Sequence, residues 1–551
     1  MRTFIDNKTV ENIGLDYVLG KINTITPYGK DLKEKMRPFK IGEEDLLIKE
    51  LNQIERLVKL INENKFFFKN IKDILHNIKD IRNSIGRAKD GYILSNVELF
   101  EIKSFILALS DLYIELRTIV DQLDSSINVN RIIELESLLD PQGTRVKAFY
   151  IYDEYSKDLK LIRYNKRQID NEIKIEKKKI KEELEKQLSM KLRPDGSVLV
   201  SKNQKELIEK INNCSNLIYS SETYMDIKYI LKPTQALNEL EGKLASLKEK
   251  EEEEEQKIRQ YLSEQTGNYY EQITKNIHSI GKLDLTLAKA YTAIETNSIK
   301  PTIIHEHKVN IVAGRHPKVE DILKSSSQKF TPISIALKEG VSCITGANMG
   351  GKTVSLKLVG LLCAMAQYGL FVPCTSMETG LHGFIYGSIG DMQSTDQGLS
   401  TFGSEIKSIK ECLKISDEKG LILIDELARG TNPDEGYAIS KAIVNFLKSK
   451  KSIALITTHY DNIANTEDVV HYQVIGLSEI DYEELKEKIN QSKNTMNIVS
   501  KYMDYRLKKV TKDTLVPRDA LNIARLMGLE ESIVADAERI LSNSKETVVE
   551  Q

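Results

Sequence analysis

The chain has 551 residues, with 79 basic and 81 acidic side chains and a formal net charge of -2. That length exceeds what one hydrophobic core can organise and implies roughly three to four domains. Near-cancelling charge excludes a uniformly basic nucleic-acid glue, because sequence-independent DNA affinity comes mainly from neutralising phosphates; a DNA contact would need local positive charge, or charge supplied by a dimer.

Residues 1–155 are helical in pattern. In EEDLLIKELNQIERLVKLI, the residues Leu46, Leu47, Leu51, Ile54, Leu57, Val58 and Ile61 recur at three- and four-residue steps. ELFEIKSFILALSDLYIEL repeats the pattern, and an all-α core is predicted. From about 156 to 188 the texture changes. Ile162, Ile169, Ile173, Ile180, Leu184 and Leu188 recur in sevens and fours among Lys, Glu and Asn. This predicts one long helix with a narrow apolar seam. RPDGS ends it, with Pro194 and then Asp195-Gly196 as the turn. A second long helix begins near Leu237 and carries a seam through Leu240, Leu244 and Leu247. Two long helices out and back, with a small knob over 189–233, make a lever and clamp over 156–270; 271–300 is read as a helix returning to the core. The run Glu251 to Glu255 interrupts the return seam and is read as a solvated helix face. The knob holds seven Lys/Arg and five Asp/Glu, too small a surplus to mark a nucleic-acid contact.

From 301 onward, the short β-rich runs VSCITG, GLILIDE and SIALITTH end in polar residues and alternate with helical patterns. That is the grammar of an α/β nucleotide-binding sheet, whose ligands sit at the C-terminal ends of the strands. The first run leads into GANMGGKT, where Gly346 is followed after four residues by Gly351-Lys352-Thr353. This is the spacing of a phosphate-cradling loop. Gly346, Asn348, Gly350 and Gly351 fall in the cradle, where backbone N–H groups converge on phosphate oxygens at a helix N-terminus. Lys352 is expected to meet the β- and γ-phosphates of ATP, and Thr353 to hold Mg²⁺ through its hydroxyl.

In GDMQSTDQGLSTFGSEI, Gln393 is placed to reach the metal or the attacking water. Ser400, with Thr401-Phe402-Gly403, opens a helix, and a serine with free N–H groups at a helix start forms an anion site. Spacing alone leaves open whether Ser400 closes on its own nucleotide. LILIDELARGT puts Asp425 and Glu426 at a strand end. Asp425 suits Mg²⁺ and Glu426 suits orienting or activating water. LITTHYDN ends a further strand at His459, in position to sense the γ-phosphate.

The five cysteines (Cys214, Cys343, Cys363, Cys374, Cys412) are scattered, and no pair has metal-ligand spacing. They are read as small thiols in a reducing cytosol, three of them among apolar neighbours. MRTFIDNKTVENIGLDYV lacks the apolar core of a secretion signal. VGLLCAMAQYGLFV is interrupted by Gln367 and Gly369 and falls short of the roughly 18–20 residues that span a bilayer. A cytoplasmic protein with no membrane contact is expected.

Taken in order, these segments resemble the MutS family of ABC-type ATPases. GANMGGKT resembles that family's G-P-N-M-G-G-K-S/T, LSTF its S-T-F signature, DELARGT its D-E-(I/L)-G-x-G-T and TTHY its T-H-(Y/F). RHP at 315–317 is a further family mark. The resemblance is strong over 300–550; over the helical core and lever it is architectural. It implies a multidomain fold in which the all-α core and long-helix lever and clamp precede an α/β ABC-type P-loop ATPase domain over 301–551. It also implies a head-to-tail homodimer with two nucleotides at the interface. Each would be gripped by Lys352, Thr353, Asp425, Glu426 and His459 of one subunit and by Ser400 of the other, in trans. By position Phe330 resembles the aromatic that stacks on adenine; an ordinary core phenylalanine is the alternative. The last helices, DALNIARLMGLEESIVADAERIL, resemble the family's dimer-closing helices.

The chain also departs from the family pattern. None of its thirteen phenylalanines is followed two places later by glutamate, so the Phe-x-Glu wedge of mismatch readers is missing, and no Smr nuclease domain is expected. Ala347 replaces the usual proline, and VPRDALNIARLMG stands where a Ser-Tyr-Gly step is usual. KTVSLKLVGLLCAMAQYGLFVPC and IGDMQSTDQGLSTF resemble the second MutS branch more than the mismatch readers. Three readings follow. The first is an ATP-gated clamp on branched or distorted DNA, related to mismatch repair. The second is a protein-remodelling ATPase, as in the reactivase of a cobalamin-dependent lysine aminomutase; near-neutral charge and the missing reader suit it. The third, a scaffold with a vestigial site, sits badly with a complete set of catalytic residues. The first is ranked ahead on the weight of the family.

Overall fold

A computed structural model of the chain describes residues 3–346, 351–390, 401–428, 431–477, 503–511, 519–526 and 528–549. Contacts divide the chain into two compact units. Met1–Leu75, Ile119–Asn128 and Ser279–Gln551 form one, here the sheet unit. His76–Thr118 and Val129–His278 form the other, the hairpin unit. These lines run differently from the zones expected at 1–155, 156–270, 271–300 and 301–551: the N-terminal helices join the sheet unit.

In the hairpin unit, Asn96–Leu116 is a helix opened by a capping box, in which the Ser95 hydroxyl accepts from Glu98 N–H and the Glu98 carboxylate accepts from Ser95 N–H. The two long helices run Lys157–Leu188 and Gln235–Asn268, N-capped by Ser156 and Thr234. Their cross-pairs descend on one helix as they rise on the other: Ser156 with Glu254, Arg163 with Glu251 and Glu255, Lys177 with Glu241. The helices are therefore antiparallel. These pairs correct the reading of Glu251–Glu255 as a solvated face. Glu251, Glu254 and Glu255 share the inner face by their three- and four-residue spacing and bind the partner helix, while Glu252 and Glu253 stay exposed. Arg163 also donates to Asp153 and to the Ile151 carbonyl, so one guanidinium ties three segments. The knob holds strands β1 (Val198–Ser201), β2 (Leu217–Glu222) and β3 (Asp226–Leu231) in antiparallel order β1-β3-β2. Its inner face packs Val198, Val200 and Tyr229 against Ile180, Leu184 and Leu188 of the first long helix.

The sheet unit supplies β4 (Thr302–Ile303), β5 (Lys308–Gly314), β6 (Ile333–Lys338), β7 (Gly340–Thr345), β8 (Ser376–Thr379), β9 (Ile385–Ser388), β10 (Leu421–Ile424), β11 (Ile453–Thr457), β12 (Val470–Gly476) and β13 (Asp504–Lys509). A four-stranded sheet has order β4-β8-β5-β6, and a six-stranded sheet has order β13-β12-β7-β11-β10-β9. In the larger sheet β12, β7, β11, β10 and β9 are parallel, and β13 pairs antiparallel at the edge. At the other edge the Phe4 carbonyl accepts from Ile385 N–H, so the N-terminal segment covers β9.

Both faces of the parallel sheet are buried, which explains its unbroken apolar runs. Leu421, Leu423, Ile453 and Leu455 point into one core with Leu356–Ala366 of the helix Lys352–Gln367 and with Ile13, Leu15 and Val18. Ile422, Ile424, Ala454 and Ile456 point into the other, against Ile409, Cys412, Val444 and Leu447. The fit on the first face is tight: a Cβ on Gly360 would lie 2.5 Å from Leu423 Cδ1 and 3.1 Å from Ile13 Cγ2. Long-range packing of this kind carries no sequence period, which is why the N-terminal helices read as part of a separate core. Cys343, Cys363, Cys374 and Cys412 are buried and outside any disulfide, as the reading of small thiols expects, while Cys214 is half-buried. Burial pushes the Cys343 and Cys363 thiols up to about 12. Among the described residues no helix is long and apolar enough to cross a membrane.

Candidate active site

β7, β11 and β10 are parallel neighbours, so their C-terminal ends share one edge of the sheet. β7 runs into Gly346, and the helix Lys352–Gln367 opens at Gly351. Both glycines are required. Gly346 has φ 127° and Gly351 φ 81°. A Cβ would meet Val474 at 3.1 Å in the first case and Tyr505 at 3.0 Å in the second. Lys352 folds back to donate from Nζ to the Gly346 carbonyl at 2.8 Å.

The carboxylates come from the end of β10. Thr353 Oγ1 donates to Asp425, 2.9 Å from Oδ2 and 3.1 Å from Oδ1. A hydroxyl and a carboxylate on one spot are the hard oxygen donors that suit Mg²⁺, so these residues fit the ion the sequence implies. Glu426 is buried, with Oε1 2.7 Å from His459 Nε2 and 3.8 Å from Lys352 Nζ. His459 Nδ1 stands 3.1 Å from Lys352 Nζ. Lysine, histidine and glutamate thus form a closed triangle above the strand ends. Glu426 has φ 53° and Ala428 φ 60°, left-handed conformations that cost non-glycine residues about 1 kcal/mol each and cluster at functional sites. The turn is held by Ala428 N–H donating to Glu405 Oε1 at 2.8 Å, which brings in the helix Thr401–Leu413 that follows Ser400.

Of the residues singled out from sequence, Gly346, Gly351, Lys352, Thr353, Asp425, Glu426 and His459 come together. Asn348, Gly350, Gln393 and Ser400 lie outside the described residues, as does the side chain of Thr401. Phe330 is half-buried and packs against the core that contains Ile333 and Ile335. RHP is structural. His316 Nε2 donates to the Ile13 carbonyl at 3.1 Å, and Arg315 binds Glu320 and the Thr296 and Asn297 carbonyls.

Two contributions are absent from the sequence reading. Thr345 Oγ1 lies 2.8 Å from His471 Nε2, directly beneath Gly346. Thr457, at the end of β11, donates to Asp425 Oδ1 at 2.7 Å and accepts from Glu426 N–H at 2.8 Å. The only available signal for Thr457 was its place two residues before His459, and threonine is too ordinary in strands to stand out.

Residues 342–545 match the family model of MutS domain V. Endonuclease MutS2 of Caldanaerobacter subterraneus is 29% identical over 90% of this chain and 60% of that protein. The Shouchella clausii Endonuclease MutS2 is 32% identical over 71% of this chain and 50% of its own length. The Fusobacterium nucleatum Endonuclease MutS2 is 28% identical over 96% of this chain and 64% of its own length. The chain therefore spans between half and two thirds of the length of these three relatives. A domain V match that begins inside β7 and takes in Lys352, Asp425 and His459, with relatives aligned along most of the chain, fixes the kinship: the chain belongs to the MutS family.

Proposed function

We propose that this chain binds and hydrolyses ATP as the ABC-type P-loop engine of a MutS-like clamp acting on DNA, working as a homodimer in the cytoplasm. One observation carries the reading: Lys352, Thr353, Asp425, Glu426 and His459 interlock at the ends of three adjacent parallel strands. Phosphoryl transfer needs positioning and charge stabilisation more than covalent chemistry, and this set offers both. Lys352 and the loop amides hold the phosphates, Glu426 orients water, and His459 reports the γ-phosphate to Glu426. Thr353 and Asp425 would hold Mg²⁺, which screens phosphate charge when bound. Ser400 of a second copy would complete each site, and Phe330, half-buried, would stack on adenine unless it is an ordinary core residue. A nucleic-acid partner is favoured by the relatives' name, endonuclease.

One observation favours the second reading, remodelling of a cobalamin-dependent enzyme. In the knob Lys202 pairs with Glu222 and Lys228 with Asp195, so its cations are partly spent internally. Steady-state ATPase measured against linear, mismatched and four-way-junction DNA at two salt concentrations separates the two. Saturable, salt-sensitive modulation by one DNA shape is the expected result. Indifference to every DNA would remove the DNA reading and turn the search to protein substrates.

A further inference from the structure

We infer that Thr457 is the positioning residue for both carboxylates of the site, an inference that rests on the ATPase reading above. A threonine hydroxyl has one proton to give and lone pairs to accept with. Here both capacities are in use: the proton goes to Asp425 Oδ1 at 2.7 Å, and the oxygen accepts Glu426 N–H at 2.8 Å. Thr457 is fully buried, so water offers no substitute for either bond.

The two bonds do different work. The first fixes the rotation of the Asp425 carboxylate on the side that Thr353 also reaches. The second stabilises the Glu426 backbone at φ 53°, the conformation that turns its side chain toward His459 and Lys352. Without the hydroxyl, a buried N–H would lose its acceptor and the strained turn one of its anchors. β11 also supplies its own continuation: two residues beyond Thr457, His459 holds the Glu426 carboxylate. One strand end therefore sets the backbone and the head group of the same glutamate.

Thr457→Val keeps the branched shape and the strand preference and removes only the hydroxyl. Its kcat for ATP should fall about 10- to 100-fold, the effect of one unsatisfied buried donor, while KM stays within about threefold because Lys352 and the loop are untouched. Thr457→Ser should restore kcat to within about threefold of the wild type, since it returns the hydroxyl. Hydrogen exchange at the Glu426 amide gives a readout that needs no turnover: protection should drop in the valine variant and persist in the serine variant. Unchanged kcat in Thr457→Val, or serine no better than valine, overturns the inference. Wild-type protein without ATPase would instead remove the functional reading, and the exchange measurement would then decide on Thr457 alone, with unchanged protection in valine counting against it.

Discussion

The sheet unit and the hairpin unit each bury a lysine beside a carboxylate, and the two are held by different partners. Lys103 is 2% exposed, and its ammonium has three near acceptors: Asp140 Oδ1 at 3.0 Å, Tyr152 OH at 2.8 Å and the Ala148 carbonyl at 3.2 Å. Asp140 is completed by Arg145 N–H at 2.7 Å. Every partner lies in one knot between the helix Asn96–Leu116 and the 140–152 segment, whose turn after Asp140 carries Gly143 at φ 62° and Arg145 at φ 55°. Lys352 is equally buried, yet it rests on a loop carbonyl and an imidazole and keeps its carboxylate 3.8 Å away. Positive-φ residues border it too, here Gly346, Gly351 and Glu426. On the ATPase reading proposed above, Lys103 is held by fixed partners of the fold, and Lys352 by groups that a phosphate would displace.

That difference is broken most directly by removing each lysine. Lys352→Ala should lower ATP turnover by at least about 100-fold, the scale of losing a phosphate-stabilising group, and should leave thermal unfolding nearly unchanged. Lys103→Met should do the reverse. It strands the Asp140 carboxylate in the interior, which costs about 3–5 kcal/mol, and should leave KM for ATP untouched. Chemical denaturation and steady-state kinetics on both variants check the pair. If Lys103→Met lost ATPase at full stability, or Lys352→Ala unfolded, the division of labour would be wrong.

The sequence exposed these two lysines unequally, for physical reasons. Lys352 stands in a loop whose glycines are required by backbone shape, so spacing alone marks it, and the strand ends at Thr345, Ile424 and Thr457 follow from short β-rich runs. The long helices were legible too, because a seam leaves a period; the expected 156–188 is observed as Lys157–Leu188. Lys103 sits in a helix buried nearly all round, and its partners lie 37 to 49 residues away, a separation that carries no pattern. Thr457 is hidden for the same reason: it acts on residues 31 and 32 positions earlier, across the sheet. Glu251, Glu254 and Glu255 looked like solvent-facing charge because nothing in a run of glutamates says that Arg163 and Ser156 lie opposite.

Acid should separate the two units by a smaller margin. Burial lowers His316 from the ordinary 6.5 to about 4. Burial, aided by the neighbouring His307, lowers His382 to about 3. Burial lowers His307 as well. All three lie in the sheet unit. A folded pKa below the unfolded one means that the unfolded chain takes up protons first. The stability these histidines contribute is therefore complete above about 6.5 and is lost as the pH falls toward 4 and 3, by about 1.4 kcal/mol per histidine per pH unit. In the hairpin unit the corresponding group is Asp140. Burial pushes its carboxyl up, but the Arg145 N–H and the Lys103 ammonium outweigh that and hold it below the usual carboxylate range. Its contribution is present above the ordinary carboxylate pKa and disappears only as the pH falls through its lowered value. Between pH 6.5 and about 4.5 these groups weaken the sheet unit and spare the Lys103 knot. Pulse proteolysis at pH 7.5 and 5.5 should show fragments from Ser279–Gln551 appearing earlier at the lower pH, with Val129–His278 unchanged. Loss from the hairpin unit first would mean that its saturated charges are the weaker construction.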